Sequence, residues 1–326
     1  MSRVSARKPH RSKTRMGLLL ALFLLVLLLI AGATYEARAA RGDAQRYPPP
    51  GRLVDVGGYR LHLNCTGRGA PVVVLDSGLG DSSLVWVRVQ EPLARRARVC
   101  SYDRAGIAWS DPGPPPRSDQ KSVEELYTLL HNAGEPPPYI LVGHSSGVNR
   151  VRLFAHTYPE AVAGLVLVEP PLLAEASPMF VAALTALRRL IGALARVGGV
   201  RLLGKLGWMG LLFGGSDPPP ELAQRAGFLY NPQSMRASVE ETQALPETIR
   251  AVTLAATPQA WDAWPVVIIA AYRGAAPRPD LAASLDHLAR LSTRGRVVFV
   301  QGSHFVLFEH PERIVQAIQT ILQAAP

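Results

Sequence analysis

Six short apolar runs, at residues 72–75, 98–102, 139–142, 165–168, 266–271 and 297–300, constrain this chain more than any other feature. Each is only four to six residues long, and all but 98–102 are rich in Val, Ile or Leu. Runs this short and this uniformly apolar suit parallel strands buried on both faces, with helical stretches between them. Strand–helix alternation of that kind closes into an α/β sheet with right-handed crossovers. Ligands of such sheets bind beyond the carboxyl ends of the strands, so those ends are where chemistry is sought. Ahead of the six, Arg60-Leu61-His62-Leu63-Asn64-Cys65 alternates as a strand and pairs with Arg52-Leu53-Val54-Asp55-Val56 through Gly57-Gly58.

One strand end stands out. Tyr139-Ile140-Leu141-Val142 runs into Gly143-His144-Ser145-Ser146-Gly147, after which Val148, Val151, Phe154, Ala155 and Tyr158 recur at helical spacing. A G-x-S-x-G between strand and helix is the nucleophile-elbow pattern. Its glycines allow a sharp turn, the serine hydroxyl is exposed, and the following helix points its positive end at whatever binds there.

The spacing breaks once. Between the runs at 165–168 and 266–271, residues 179–215 are mostly Leu, Ala, Val and Gly with scattered Arg and Lys. Pro218-Pro219-Pro220 interrupts, and 221–259 is helical and more polar. Residues 171–263 therefore read as a helical lid inserted into a core of 51–170 and 264–326. The lid's apolar side has two readings, a cover over a substrate cleft or a surface resting on a membrane, and the first is preferred.

The N-terminus supplies the membrane. Six basic residues lie within positions 1–15, and residues 16–33 carry no charge. Eighteen helical residues span about 27 Å, close to a bilayer's hydrocarbon thickness. The expected arrangement is a cytoplasmic tail at 1–15, a signal anchor at 16–34 and a Pro-ended linker at 35–50, with the rest extracytoplasmic. Ala31-Gly32-Ala33 and Ala37-Arg38-Ala39 leave a cleaved signal, and hence a secreted protein, as the competing reading. The same region explains the net charge. Residues 1–46 account for +7 of the total +10, so the remainder has no basic face and nucleic-acid binding is not expected. The two cysteines, Cys65 and Cys100, are either buried thiols or a disulfide permitted by that compartment.

Taken together, these residues resemble the α/β-hydrolase superfamily, in its lidded, esterase-like serine branch. Asp76-Ser77-Gly78-Leu79-Gly80 follows the third strand, and Tyr102-Asp103-Arg104-Ala105-Gly106 with Trp109-Ser110-Asp111 follows the fourth. The elbow follows the fifth, and Gly302-Ser303-His304 follows the last. The resemblance implies a mostly parallel eight-stranded sheet flanked by helices, and it assigns roles residue by residue. Ser145 is the nucleophile and His304 its base. The acid follows the sixth or seventh strand, so Glu169 is preferred and Asp280 is the alternative. The Leu79 and Ser146 amides form the oxyanion hole. Ser77 and Val148 depart from the family's usual His and Gly, which narrows the site without removing a backbone donor. The resemblance also makes the second and fourth strands neighbours, so a Cys65–Cys100 bond depends on register. Asp103 and Arg104 read as an ion pair holding their loop.

The function implied is a membrane-anchored serine hydrolase acting on small, apolar carboxylic esters. An acyltransferase or peptidase on the same site, or a catalytically silent anchored binding module, are the alternatives. A serine at the elbow argues against the aspartate chemistry of epoxide hydrolases and haloalkane dehalogenases. No metal-ligand spacing or phosphate-binding glycine loop occurs, so no cofactor or metal is expected.

Overall fold

The computed structural model describes residues 11–171, 177–254, 256, 261–262 and 264–324. Eight strands form one sheet: β1 (Arg52–Asp55), β2 (Arg60–Thr66), β3 (Val72–Asp76), β4 (Val99–Tyr102), β5 (Tyr139–His144), β6 (Val162–Val168), β7 (Val266–Tyr272) and β8 (Gly295–Gln301). Their order is β1-β2-β4-β3-β5-β6-β7-β8. β2 runs against both its neighbours, and every other pairing is parallel. All six apolar runs fall in strands. The run at 297–300, however, lies in the edge strand β8, where only Val300 is buried, so it is not covered on both faces as expected. The first hairpin turns at Gly57 and Gly58, both at positive φ.

The alternation of the strands sorts the core into two layers. Val73, Leu75, Ile140, Val142, Val166, Val168 and Ile269 face α2 (Val87–Leu93) and, further along the chain, the C-terminal helix Pro311–Ala324. That last helix presents Ile314, Ala317, Ile318 and Ile321 at helical spacing. Val72, Val74, Leu141, Leu165, Leu167 and Ile268 face α3 (Asp119–Asn132) and α4 (Ser146–Thr157). Cys65 lies directly opposite Cys100 across β2 and β4, and the two form a disulfide with Cα atoms 4.0 Å apart.

Among its described residues, the insertion between β6 and β7 is helical; parts of the expected 171–263 lid lie outside the described residues. It contains α5 (Pro178–Arg196), α6 (Gly199–Lys205), a 3-10 turn (Met209–Phe213), α7 (Pro220–Gln224), α8 (Ala226–Leu229) and α9 (Pro232–Leu254). Three further helices follow the insertion: α10 (Pro279–Ala289) packs on β7 and β8, and α11 (Val306–Glu309) and α12 (Pro311–Ala324) follow β8 and pack near α2.

Two expectations need correction. The linker expected at 35–50 is helical as far as Arg46, because α1 (Arg11–Arg46) continues unbroken through the apolar run. Ala37, Ala39, Ala40 and Ala44 favour helix, and no proline intervenes before Pro48. Asp103 and Arg104 do not pair with each other. Asp103 accepts from His62 Nδ1 at 2.8 Å and from the Ser83 amide at 2.6 Å, whereas Arg104 reaches Glu241 on α9 at 2.6 Å.

Candidate active site

Ser145 occupies the single residue between β5 and α4, at φ 53° and ψ −125°. A side chain held there is strained, and the surrounding contacts leave the backbone little alternative. A Cβ on Gly143 would lie 2.6 Å from the Gly147 carbonyl, and one on Gly147 would lie 2.5 Å from the Asp76 carbonyl. Both glycines are therefore required by close approach.

Glu169 repeats this geometry on the next strand. It follows β6 at φ 53°, and His144 and Val168, the residues before Ser145 and Glu169, are register partners. The Ser145 amide donates to the Val168 carbonyl at 2.9 Å, and the Glu169 amide to Ile269 at 2.8 Å. Each residue thus leaves the sheet with its own N–H still in the ladder. One Glu169 oxygen accepts from the Ala271 amide. The other lies 3.2 Å from His304 Nδ1, an arrangement that leaves Nε2 as the basic nitrogen.

His304 sits three residues past β8, on a loop held from two sides. His144 Nε2 donates to the His304 carbonyl at 3.0 Å. Burial, followed by the neighbouring His304 ring, lowers the His144 pKa to about 3, so His144 is a neutral prop. On the other side, Glu309 accepts from the Ser303 amide at 2.8 Å and from Ser216 of the insert at 2.9 Å. Asp280, the alternative acid, stands on the surface at the start of α10, 3.5 Å from Arg278. The structure brings Glu169 to His304 and leaves Asp280 with Arg278.

The loop carrying Leu79 is clamped through its carbonyls. Arg104 donates to the Gly78 carbonyl at 2.7 Å, across the same peptide plane as the Leu79 N–H. Holding that oxygen fixes the direction of the amide opposite. Glu241 orients Arg104 and also accepts from the Gly80 amide at 2.8 Å. Burial alone would raise the Glu241 pKa, but Arg104, Arg150 and the Gly80 amide outweigh it and bring the value to about 2. Ser146 opens α4, so its amide is one of the donors that a helix start leaves without an intrahelical partner.

Leu79, Ser145, Ser146 and His304 line one cavity of about 270 Å³. Its opposite wall comes from the insert, with Phe180, Leu184, Leu187 and Ile191 on α5, then Leu212 and Phe213. One end is polar. Arg188 reaches the Leu79 carbonyl at 3.0 Å, and Tyr230 lies 3.5 Å from Asp81. Burial raises the Asp81 pKa, with Arg188, Arg104 and His304 pulling the other way.

A family model described as the alpha/beta hydrolase fold matches residues 71–311. The chain belongs to the alpha/beta hydrolase family. Over 106 residues the chain is 33% identical to YqjL of Bacillus subtilis, an uncharacterised protein, covering 32% of this chain and 42% of that one. It spans less than half the length of the curated relatives it first matches. Among solved structures, an enol-lactonase from Burkholderia xenovorans LB400 superposes with a TM-score of 0.62 at 17% identity, over 83% of this chain and all of that one. A thermophilic esterase from Thermogutta terrifontis gives 0.62 at 20% identity, over 84% and 98%. At such identities the likeness shows the fold alone.

The site contains residues that sequence spacing did not single out. Glu241 and Arg188 lie in the insert, 137 residues past Arg104 and 109 past Leu79 respectively, so no local pattern links either to its partner. Their signal was present only as charge within an otherwise apolar or helical stretch.

Proposed function

We propose that this hydrolase cleaves carboxylic esters through an acyl-enzyme. Ser145 Oγ attacks the ester carbonyl while His304 Nε2 takes its proton, and the same proton then passes to the leaving alcohol. Water, deprotonated by His304, attacks the acyl-serine and frees the acid. Glu169 holds Nδ1–H and so fixes the imidazole tautomer. The Leu79 and Ser146 amides meet the oxyanion. The observation that carries this reading is the strained Ser145 in the same cavity as a His304 already bonded to Glu169. The lining points to an apolar acyl or alcohol group.

The uncharged stretch of α1 serves as a membrane anchor in this reading. The basic residues before it stay cytoplasmic, and the catalytic body lies on the far side.

The test uses the full chain in detergent with a fluorophosphonate probe and p-nitrophenyl esters from C2 to C12. Wild type should be labelled and active. Ser145→Ala should escape the probe and lose about 10⁴-fold or more in kcat. An unlabelled, inactive wild type would overturn the esterase reading in favour of a silent binding module.

A further inference from the structure

Helix α1 extends beyond its apolar run and lies against the insert. A Cβ on Gly32 would come within 2.6 Å of the Val197 carbonyl, in the segment joining α5 to α6. Lys205 Nζ donates to the Tyr35 hydroxyl at 2.7 Å. Arg201 bonds Glu36 and Asp43, each at 2.7 Å, and these two carboxylates are two turns apart on one side of α1. The junction of α5 and α6 is therefore fixed at the level where the apolar run, residues 16–33, ends.

At that junction the insert is apolar on its outside. Leu190, Leu194, Leu202, Leu206, Trp208 and Leu211 are exposed, Leu211 to 74%. Arg189, Arg196 and Lys205 stand among them, also exposed. Leu190 and Leu194 share α5 with Leu184, Leu187 and Ile191, which line the Ser145 cavity, so one helix separates that cavity from the outer apolar face. Phe180 and Leu187 belong to both, lining the cavity while remaining 39% and 51% exposed.

We infer that this outer face of the insert rests in the bilayer that holds α1, and that the apolar ester enters the cavity from the lipid. The inference rests on the anchored reading above. A protein partner would need an apolar patch of its own, whereas α1 already brings hydrocarbon to the edge of this face. Apolar side chains with interleaved cations match the boundary between acyl chains and anionic headgroups. Trp208 sits among them as interfacial tryptophans do.

Both native cysteines are in the disulfide, so an introduced cysteine is a unique labelling site among the described residues. The full chain is reconstituted in phosphatidylcholine–phosphatidylglycerol vesicles with a fluorophore at Leu25→Cys on α1, at Leu211→Cys, or at Ala283→Cys on α10. Doxyl-labelled lipid should quench the first two, and aqueous iodide only the third. Lipid quenching at Leu25→Cys with only iodide quenching at Leu211→Cys would overturn the membrane face and leave the anchor standing. No lipid quenching at Leu25→Cys would overturn the anchor itself, and this inference with it. In a second arm, Leu190→Gln, Leu194→Gln and Leu211→Gln are combined, none of them lining the cavity. Turnover of a bilayer-dissolved long-chain ester should fall about fivefold or more, with a water-soluble acetate ester unaffected. Equal loss on both esters would mean damage to the fold rather than to lipid contact, and would count against the proposal.

Discussion

At the carboxyl edge of the sheet, Ser145 and Glu169 are placed by backbone. Each sits one residue past its strand, at the same positive φ, with its amide bonded to the neighbouring strand. Across the cavity, the insert is placed by side chains. It meets the core through Glu241 to Arg104, Arg188 to Leu79 and Ser216 to the Glu309 loop. The difference separates two kinds of control. In the proposed mechanism edge positions hold the reacting groups, so changes there should appear in kcat. Insert positions set the shape of the cavity and its opening, so changes there should appear in stability or substrate preference.

The largest expected effect tests the edge. Glu169→Gln keeps the shape of the side chain but removes the charge that, in the proposed mechanism, fixes the His304 tautomer. We expect kcat to fall by about 10³- to 10⁴-fold. Asp280→Asn should stay within about twofold of wild type, since surface changes away from a site move little. Rates with p-nitrophenyl butyrate decide it. If the two results were exchanged, the acid would be Asp280 and the geometry at β6 would be only structural.

Glu241→Gln lies where the two regions meet and should affect both. It leaves buried Arg104 with Asp76, at 3.4 Å, in place of its closer carboxylate partner, a loss of about 3 kcal/mol of stability. It also frees the peptide between Gly78 and Leu79, so kcat should fall about tenfold through a looser oxyanion donor. The pH dependence has a definite sign. A folded-state pKa of about 2, below the ordinary 4.5, stabilises the fold fully above 4.5 and loses that effect as pH falls toward 2. The stability gap between wild type and variant in urea should therefore shrink steadily between pH 5 and pH 3. A gap that stays constant over that range would mean that shape, not charge, makes the clamp.

What the sequence revealed follows the same division. Most strands buried on both faces write themselves as unbroken Val, Ile and Leu runs, though the fully buried β4 reads Val-Cys-Ser-Tyr, and an elbow needs Gly143 and Gly147 at fixed offsets. Both were legible because the constraint is local. Glu169 was legible only as the first carboxylate after a strand, an inference from position rather than pattern. The Arg104–Glu241 clamp was not legible, because Asp103 next to Arg104 offers a nearer partner on paper. In space they diverge, with Asp103 turned to His62 and Arg104 to α9. The helix beyond residue 34 was missed for a related reason. Pro48-Pro49-Pro50 marked a linker, but the contacts that hold 35–46 in place come from Arg201 and Lys205, far along the chain.

The smallest effect expected is the one that best separates the two regions. Leu184 lines the cavity from α5. Leu184→Ala enlarges the acyl space by three carbons' worth of side chain, at a cost of about 1–3 kcal/mol in discrimination between substrates. The optimum among C2 to C12 esters should move toward longer chains, with kcat/KM for the former optimum down about five- to tenfold. The change should be carried mainly by KM, because uniform binding is lost while the proposed transition-state contacts at Leu79, Ser146 and His304 are kept. A fall in kcat by orders of magnitude on every ester, with the chain-length optimum unmoved, would break the comparison. It would mean that the insert helps to position the reacting atoms, and that the chemistry is not carried by the sheet edge alone.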